Sequence, residues 1–309
     1  MMLNPFDKTL PSCSTLSILE KEQLFGTAPL TQIWVMVEYP NSFGGKALEE
    51  SNLLDKVKAY LFDIQKTLPA SRVLFIRQEK PKDDAGINVF VGLSAFQQPR
   101  LYEFHIPKYD DLLTLDIVSL SEGKAELQKN SRQEPLILVC TNGKRDPCCA
   151  QWGQQVYFEM AKHSADFVWQ TSHVGGHRFA ANVICLPHGI YFGRIRPDQA
   201  DHLISDYRNN RLTLHSYRGR AHYPPEVQVA EYYLVAQTSN LDIDAFHLLK
   251  SSPTMPDQWE VSFASSDNGI QYTLVISAHQ SAFENYESCS TPNKRAPRLQ
   301  YQLESWSKS

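Results

Sequence analysis

The stretch LILVCTNGKRDPCC, residues 136–149, joins an apolar run to a polar loop and contains three cysteines. LILVC, residues 136–140, is short and apolar, which is typical of a buried β-strand. The loop after it contains Asn-Gly and Asp-Pro, and both pairs favour turns. Trp152, Val156 and Met160 then follow at helical spacing. This order predicts a strand, a turn and a helix.

The residues that follow continue the pattern. DFVWQTS (166–172), RFAANVICLP (178–187) and GIYFGRI (189–195) each predict a strand, and residues 196–211 predict a helix. The resulting β-α-β-β-β-α order is compatible with a thioredoxin-like layer, in which helices cover a small sheet. Other α/β sandwiches share this order, so the pattern alone leaves the fold open.

A second α/β region precedes this one. IWVMVEYP (33–40) predicts a buried strand, and the spacing of apolar residues within 46–68 predicts an amphipathic helix. SRVLFIRQ, INVFVGLS and LYEFHI predict three further strands, and the polar segment 119–135 predicts a linker. The two β-α-β patterns suggest a degenerate duplication.

The C-terminal part of the sequence differs in pattern from the two α/β regions. EVQVAEYYLVAQT (226–238) predicts a helix, and three alternating segments predict antiparallel strands: WEVSFAS, IQYTLVIS and RLQYQLES. We therefore divide the chain into an N-terminal α/β region at 1–130, a central domain at 131–223, and a C-terminal α+β extension at 224–309.

Composition limits the class of protein. The chain has 309 residues, 42% hydrophobic and 21% charged, as in ordinary globular proteins. The net charge of -4 argues against nucleic acid as a partner, and no apolar run reaches the roughly 20 residues that a membrane helix needs. Six cysteines, two of them adjacent, favour a reducing compartment, and the first residues lack the features of a signal peptide. We expect a cytoplasmic protein without nucleic-acid or membrane partners.

Four possible metal ligands converge on the central domain. Their spacing is C-x8-C, then 23 intervening residues, then H-x3-H: Cys140, Cys149, His173 and His177. Gly175 and Gly176 permit backbone conformations that would let both imidazoles turn toward one point. Two thiolates and two imidazoles suit zinc or an iron–sulfur centre, and the residues alone favour zinc because Cys2His2 is a common zinc set.

Other cysteines and polar residues admit further interpretations. Thiol chemistry at Cys148 and Cys149 is a third possibility, because the nearby Lys144 and Arg145 would favour a thiolate. A nucleotide is not expected, since neither G-x-G-x-x-G nor a Walker loop occurs, and nothing nominates the carboxylate pair of a glycosidase. We expect Cys185 to lie in the core and Cys289 to be a bystander in a polar loop.

Four segments of the sequence resemble the sucrase/ferredoxin-like family. LVCTNGKRDPCCAQWG with TSHVGGHRFAANVICLPHGIYFGRI carries the most specific motifs. The segment that begins CSTLSILEKEQLFGTAP is similar to the opening of the family, and YRGRAHYPPEVQVAEYYL is similar to its later pattern. The resemblance covers residues 12–235 or so, whereas the last seventy or so match less clearly.

The resemblance implies a thioredoxin-like ferredoxin domain at 131–223 that holds a [2Fe–2S] cluster. Its ligands would be Cys140, Cys149, His173 and His177, and Cys148 has no counterpart among them. The implied function is electron transfer, coupled to protons through the imidazoles, with a redox partner protein. The alternatives are a zinc-stabilised interaction protein without turnover and, third, a thiol oxidoreductase. We further expect the Asn182 amide to hold the HVGGH loop.

Overall fold

The computed structural model describes residues 11–79, 86–95, 98–123, 128–164 and 166–309. It has a mixed α/β fold, built on a nine-stranded sheet and a separate four-stranded antiparallel sheet. The predicted α/β class, with antiparallel strands at the C-terminal end, is therefore confirmed. No helix in the described parts of the chain is both long and apolar enough to cross a membrane.

Two groups of strands make up the larger sheet. The first group, with its helices, is α1 (Cys13–Leu19), β1 (Ile33–Glu38), α2 (Asp55–Thr67), β2 (Ser71–Arg77), β3 (Ile87–Leu93), β4 (Arg100–Ile106) and α3 (Ile117–Ser121). The second group is β5 (Leu136–Cys140), α4 (Pro147–Ser164), β6 (Val168–Thr171), β7 (Val183–Leu186), β8 (Ile190–Phe192), α5 (Ala200–Arg208) and β9 (Tyr217–Arg220). The chain closes with α6 (Pro225–Thr238), β10 (Phe246–Met255), β11 (Gln258–Ser265), β12 (Gln271–Tyr286) and β13 (Arg295–Lys308).

The two groups repeat one topology. β1 is parallel to β2, β3 is antiparallel to β1, and β4 is antiparallel to β3. In the same way β5 is parallel to β6, β7 is antiparallel to β5, and β8 is antiparallel to β7. A helix connects each parallel pair, as such crossovers require. The β-α-β order that the sequence predicted in both regions is therefore present in the fold.

The two groups meet edge to edge. The strand order is β4-β3-β1-β2-β6-β5-β7-β8-β9. β2 and β6 pair in antiparallel register over two residues each, Ile76 with Thr171 and Arg77 with Gln170. One continuous sheet therefore runs through both α/β regions, and the boundaries at 130 and 223 stay predictions.

One predicted strand is shorter than expected. RFAANVICLP forms a strand only from Val183, because His177–Phe179 form a 3-10 turn and the following residues form a loop. The helix expected at 196–211 is α5, preceded by a 3-10 turn at Pro197–Gln199.

The core lies on both faces of the large sheet. On one face of the second group, α4, α5 and α6 bury Val156, Leu203 and Leu234 in the same cluster as Val261 and Phe263 of the C-terminal sheet. On the other face, a separate cluster includes Trp34, Leu138, Trp169 and Tyr191. Burial of this apolar surface holds β5, β6 and α4 rigidly. The candidate site is built on the ends of those three elements.

Candidate metal centre

The two predicted cysteine ligands lie at facing ends of a strand and a helix. Cys140 is the last residue of β5, and Cys149 is in the first turn of α4. Both side chains are 1% exposed. Asp146 starts the helix, since its Oδ1 accepts a hydrogen bond from the Cys148 N–H at 3.0 Å. Cys149 therefore lies at the positive end of the helix dipole, facing the end of β5.

The two histidines lie on the loop that follows β6. Gly175 and Gly176 have φ of 93° and 71°, in the left-handed region that glycine adopts without strain. This turn brings the chain back, so that the ring centroids of His173 and His177 are 5.0 Å apart. His173 is half-buried and His177 is buried. The predicted role of the two glycines agrees with this geometry.

Three of the four predicted ligands form one tight group. One donor atom from each of Cys140, Cys149 and His173 lies within 4.8 Å of the others, and Cys149 Sγ is 3.9 Å from His173 Nδ1. His177 is adjacent but outside that group. Its Nε2 is 3.7 Å from Asp146 Oδ2. Its Nδ1 is buried and has no hydrogen-bond partner among the described residues.

The thiols and imidazoles shift one another's protonation. The hydrogen bond from Cys149, with a further one from His173, holds the pKa of Cys140 well below its usual range. The same bond with Cys140, together with burial, raises the pKa of Cys149. Burial lowers the pKa of His177, which keeps this imidazole neutral. A thiolate and a neutral imidazole are the forms that bind metals.

Arg218, on β9, supports the histidine loop and was missed by the sequence reasoning. Its side chain is 1% exposed, and it donates to the Gly175 carbonyl at 3.2 Å and to Asn182 Oδ1 at 2.7 Å. Burial lowers its pKa to about 9. Asn182 in turn donates from Nδ2 to the Gly176 carbonyl at 2.9 Å, as predicted. The sequence feature that could have indicated Arg218 is its position as a charged residue within YRGR, a segment that forms a buried strand.

The remaining cysteines separate into two environments. All six cysteines lie within the described residues, and all are free thiols. Cys185 is fully buried on β7, as expected for a core residue. Cys148 does not share the environment of its neighbour Cys149, because its sulfur contacts Cys13 at 3.5 Å and Cys289 at 3.4 Å. Cys289 was expected to be a bystander, but its sulfur is thus part of a second group of thiols.

Two curated proteins are similar to part of the chain. Altered inheritance of mitochondria protein 32 is 25% identical over 111 residues in Meyerozyma guilliermondii, covering 32% of this chain and 39% of that protein. In Debaryomyces hansenii the same protein is 26% identical over 110 residues, covering 32% and 40%. The matches therefore span about two fifths of the length of these relatives.

Two solved structures are also similar to part of the chain. The thioredoxin-like [2Fe–2S] ferredoxin from Aquifex aeolicus has a TM-score of 0.27 and 13% identity, covering 30% of this chain and 97% of the ferredoxin. A cysteine-to-serine variant of that ferredoxin has a TM-score of 0.25 and 13% identity, covering 27% and 97%.

A family model matches a longer part of the sequence. The sucrase/ferredoxin-like model covers residues 24–219, which include the strands β1 to β8 and all four predicted ligands. Since this match exceeds half of the chain, the protein belongs to the sucrase/ferredoxin-like family.

Proposed function

We propose that this chain is an electron-transfer protein that holds a [2Fe–2S] cluster through Cys140, Cys149, His173 and His177. The observation that carries the proposal is the convergence of two thiols and two imidazoles at the ends of β5, α4 and β6. The buried, unpaired Nδ1 of His177 supports it further, because a buried ring nitrogen without a hydrogen bond is costly unless it binds something. The Aquifex aeolicus ferredoxin carries a [2Fe–2S] cluster according to its name.

The spacing of the donors favours two metal ions over one. A single zinc ion holds sulfur at about 2.3 Å and nitrogen at about 2.0–2.1 Å, so its four donors lie within about 4 Å of one another. His177 lies outside the group of donor atoms that are within 4.8 Å of each other. Two cysteines and two histidines are a known donor set for a [2Fe–2S] unit, and its two irons reach donors over a wider span than one ion does. A zinc-stabilised interaction protein is therefore the weaker alternative.

The ligand residues would set the redox properties of the site. When bound, the cluster would supply one-electron transfer. Two neutral imidazoles in place of two thiolates leave the site less negative, which favours the uptake of an electron. With Nδ1 of His177 on the metal, its Nε2–H would face Asp146 Oδ2, now 3.7 Å away. That carboxylate would orient the imidazole and stabilise its remaining proton, as acidic partners of metal-bound histidines do.

Partners and location follow from the same proposal. The half-buried His173 leaves one side of the site close to solvent, and we propose that a redox partner protein docks there. Six free thiols, five of them at or next to the site, favour a reducing compartment, and we propose the cytoplasm.

Purification without oxygen tests the proposed cluster. We expect coloured protein with iron and acid-labile sulfide in equal amounts. Cys140→Ser should lose most of the iron, whereas Cys185→Ser, a matched control that alters another buried thiol in the same sheet, should keep it. His177→Cys should retain some cluster at a lower potential, because a thiolate adds negative charge. Colourless protein with one zinc that is lost on Cys140→Ser would establish the zinc alternative instead.

A further inference from the structure

A second group of thiols lies beside the first site. Cys13 begins α1, Cys148 is in the first turn of α4, and Cys289 is in the loop between β12 and β13. The three sulfurs form a nearly equilateral triangle: 3.5 Å from Cys13 to Cys148, 3.4 Å from Cys148 to Cys289 and 3.5 Å from Cys13 to Cys289. The carboxylate oxygens of Asp146 are 3.9 and 4.0 Å from Cys13 Sγ.

These distances correspond to ligands of one ion. A disulfide needs a sulfur–sulfur distance of about 2.05 Å, well short of those in the triangle. Around a tetrahedral zinc ion with Zn–S near 2.3 Å, sulfurs lie about 3.8 Å apart, which is within a few tenths of an ångström of the triangle. Thiolates that bind different irons of a cluster lie farther apart. The group therefore fits a mononuclear site.

Hydrogen-bond donors are directed at two of the three sulfurs. The Cys13 N–H donates to Cys289 Sγ at 3.3 Å, and the Ser14 hydroxyl donates to Cys148 Sγ at 3.3 Å. Cys13 and Cys148 are fully buried, and Cys289 is partly buried. Hydrogen-bond donors directed at a buried sulfur stabilise its negative charge, whereas a neutral thiol packed in the core requires no such donors.

We propose that Cys13, Cys148, Cys289 and the Asp146 carboxylate form a second metal site, for a single zinc ion. Three thiolates and one carboxylate are donors that zinc accepts, and a closed, buried set of four is the arrangement of structural zinc sites. Each thiol releases its proton to solvent as its sulfur binds the ion. The Asp146 carboxylate needs only a small shift toward the sulfurs, because its oxygens already lie about 4 Å from Cys13 Sγ.

The proposed ion would join distant parts of the chain. Cys13 and Cys148 are 135 residues apart, and Cys148 and Cys289 are 141 residues apart. The ion would fasten the first helix and the tip of the C-terminal hairpin to the start of α4. It would thereby fix the helix turn that carries Cys149, the ligand of the other site.

Elemental analysis of the full chain tests this inference separately from the proposed cluster. The protein is produced with zinc in the medium and purified without oxygen, and zinc and iron are counted per chain. We expect about one zinc per chain. Cys13→Ser and Cys289→Ser should lose zinc while keeping the iron and the visible spectrum, whereas Cys140→Ser should lose iron and keep zinc. Cys185→Ser is the matched control and should keep both.

Cobalt(II) gives a second measurement, in which the cysteines of the proposed zinc site are unchanged. Metal-free wild-type protein titrated with cobalt(II) should develop thiolate-to-cobalt charge-transfer absorption and a tetrahedral d–d spectrum, and zinc should abolish both. The titration is repeated on Cys140→Ser, so that the cluster ligands do not contribute to the signal. Wild-type protein without zinc that also fails to bind cobalt, or zinc that survives both Cys13→Ser and Cys289→Ser, would overturn the inference. A disulfide among the three cysteines in anaerobic protein would do the same.

Discussion

Asp146 connects more groups than any other residue of the site. Its Oδ2 accepts from the Cys289 N–H at 2.8 Å and from the Ser288 hydroxyl at 2.9 Å, and it faces His177 Nε2 at 3.7 Å. From the sequence, Asp146 was expected to shape the turn before Cys149, and its bond to the Cys148 N–H agrees with that role. Its contact with Cys289 could not be foreseen, because 143 residues separate them and no local pattern marks the pairing.

The imidazole N–H groups predict a redox potential that depends on pH. Oxidised iron withdraws electron density from a bound imidazole and makes its remaining N–H more acidic, so the reduced form holds that proton more tightly. The potential should therefore fall as pH rises through this titration, by up to about 59 mV per pH unit for one proton per electron. Voltammetry between neutral and alkaline pH measures it. His202→Gln, at a surface histidine, should keep the slope, and a potential flat across this range would rule out proton coupling.

The histidine loop between β6 and β7 is held from three sides. Arg72 Nη1 donates to the Val174 carbonyl at 2.8 Å, and Arg218 and Asn182 hold the carbonyls of the two glycines. The sequence predicted the glycines and the Asn182 amide, because turn chemistry is local. It did not predict the arginines, which reach the loop from strands 102 and 43 residues away. Residues 178–182 were wrongly assigned to a strand, since their apolar character reflects packing beneath the loop.

Gly176→Ala tests the geometry of this loop. A Cβ at this position would lie 2.4 Å from Arg218 Nη2, in addition to the strain of a φ of 71°. The matched control is Gly269→Ala, with a φ of 70° and no atom of the described residues within 4 Å of the added Cβ. Backbone strain at a positive φ should lower the free energy of unfolding of both variants by about 1 kcal/mol. Overpacking against Arg218 should lower that of Gly176→Ala by about 1–3 kcal/mol more. Chemical denaturation measures the costs.

The iron content of the two glycine variants distinguishes loop strain from general instability. Gly176→Ala should reduce iron per chain, because the displaced guanidinium moves the loop that carries His177. Gly269→Ala should leave the iron content at the wild-type value. Equal iron and equal stability in both variants would contradict the inferred contact between Gly176 and Arg218.

At the scale of the whole molecule, the sequence predicted the elements better than their assembly. Hydrophobic periodicity is a local signal, so it located β1–β8, the helices α2 and α4–α6, and β11–β13. It missed α1, α3, β9 and β10. The joining of β2 to β6 depends on side chains about a hundred residues apart and has no local signal. His188 illustrates the same limit. Its place just before Gly189 predicts an exposed hairpin turn, whereas its side chain is 18% exposed and its Nδ1 lies 2.7 Å from the Tyr207 hydroxyl.

The half-buried His222 predicts that acid lowers the stability of the fold. Burial, with the nearby charge of Arg220, lowers its pKa from 6.5 to about 3. Below pH 6.5 the unfolded chain takes up a proton that the folded chain excludes, so the free energy of unfolding falls as pH falls. Between pH 7 and pH 5 this group should account for a loss of about 2 kcal/mol. His222→Gln should remove that part of the loss in denaturation experiments at the two pH values.

The surface residue His202 again provides the control for this experiment. His202→Gln should show the full wild-type loss between pH 7 and pH 5, since its side chain is 66% exposed. His188 also has a pKa lowered by burial, to about 4, so some acid sensitivity should persist in His222→Gln. An unchanged loss in His222→Gln would show that this imidazole is not excluded from protonation in the folded protein.

The two-residue pairing of β2 with β6 has a consequence for the order in which the molecule comes apart. Ser172 extends this junction, since its N–H donates to the Phe75 carbonyl at 2.8 Å and its hydroxyl accepts from the Phe75 N–H at 3.0 Å. The next residue along the chain is His173. Under a mechanical load across the sheet, the few hydrogen bonds between β2 and β6 should break before those of the longer ladders at either side. The molecule would then lose the geometry of its histidines while most of its backbone hydrogen bonds are still intact.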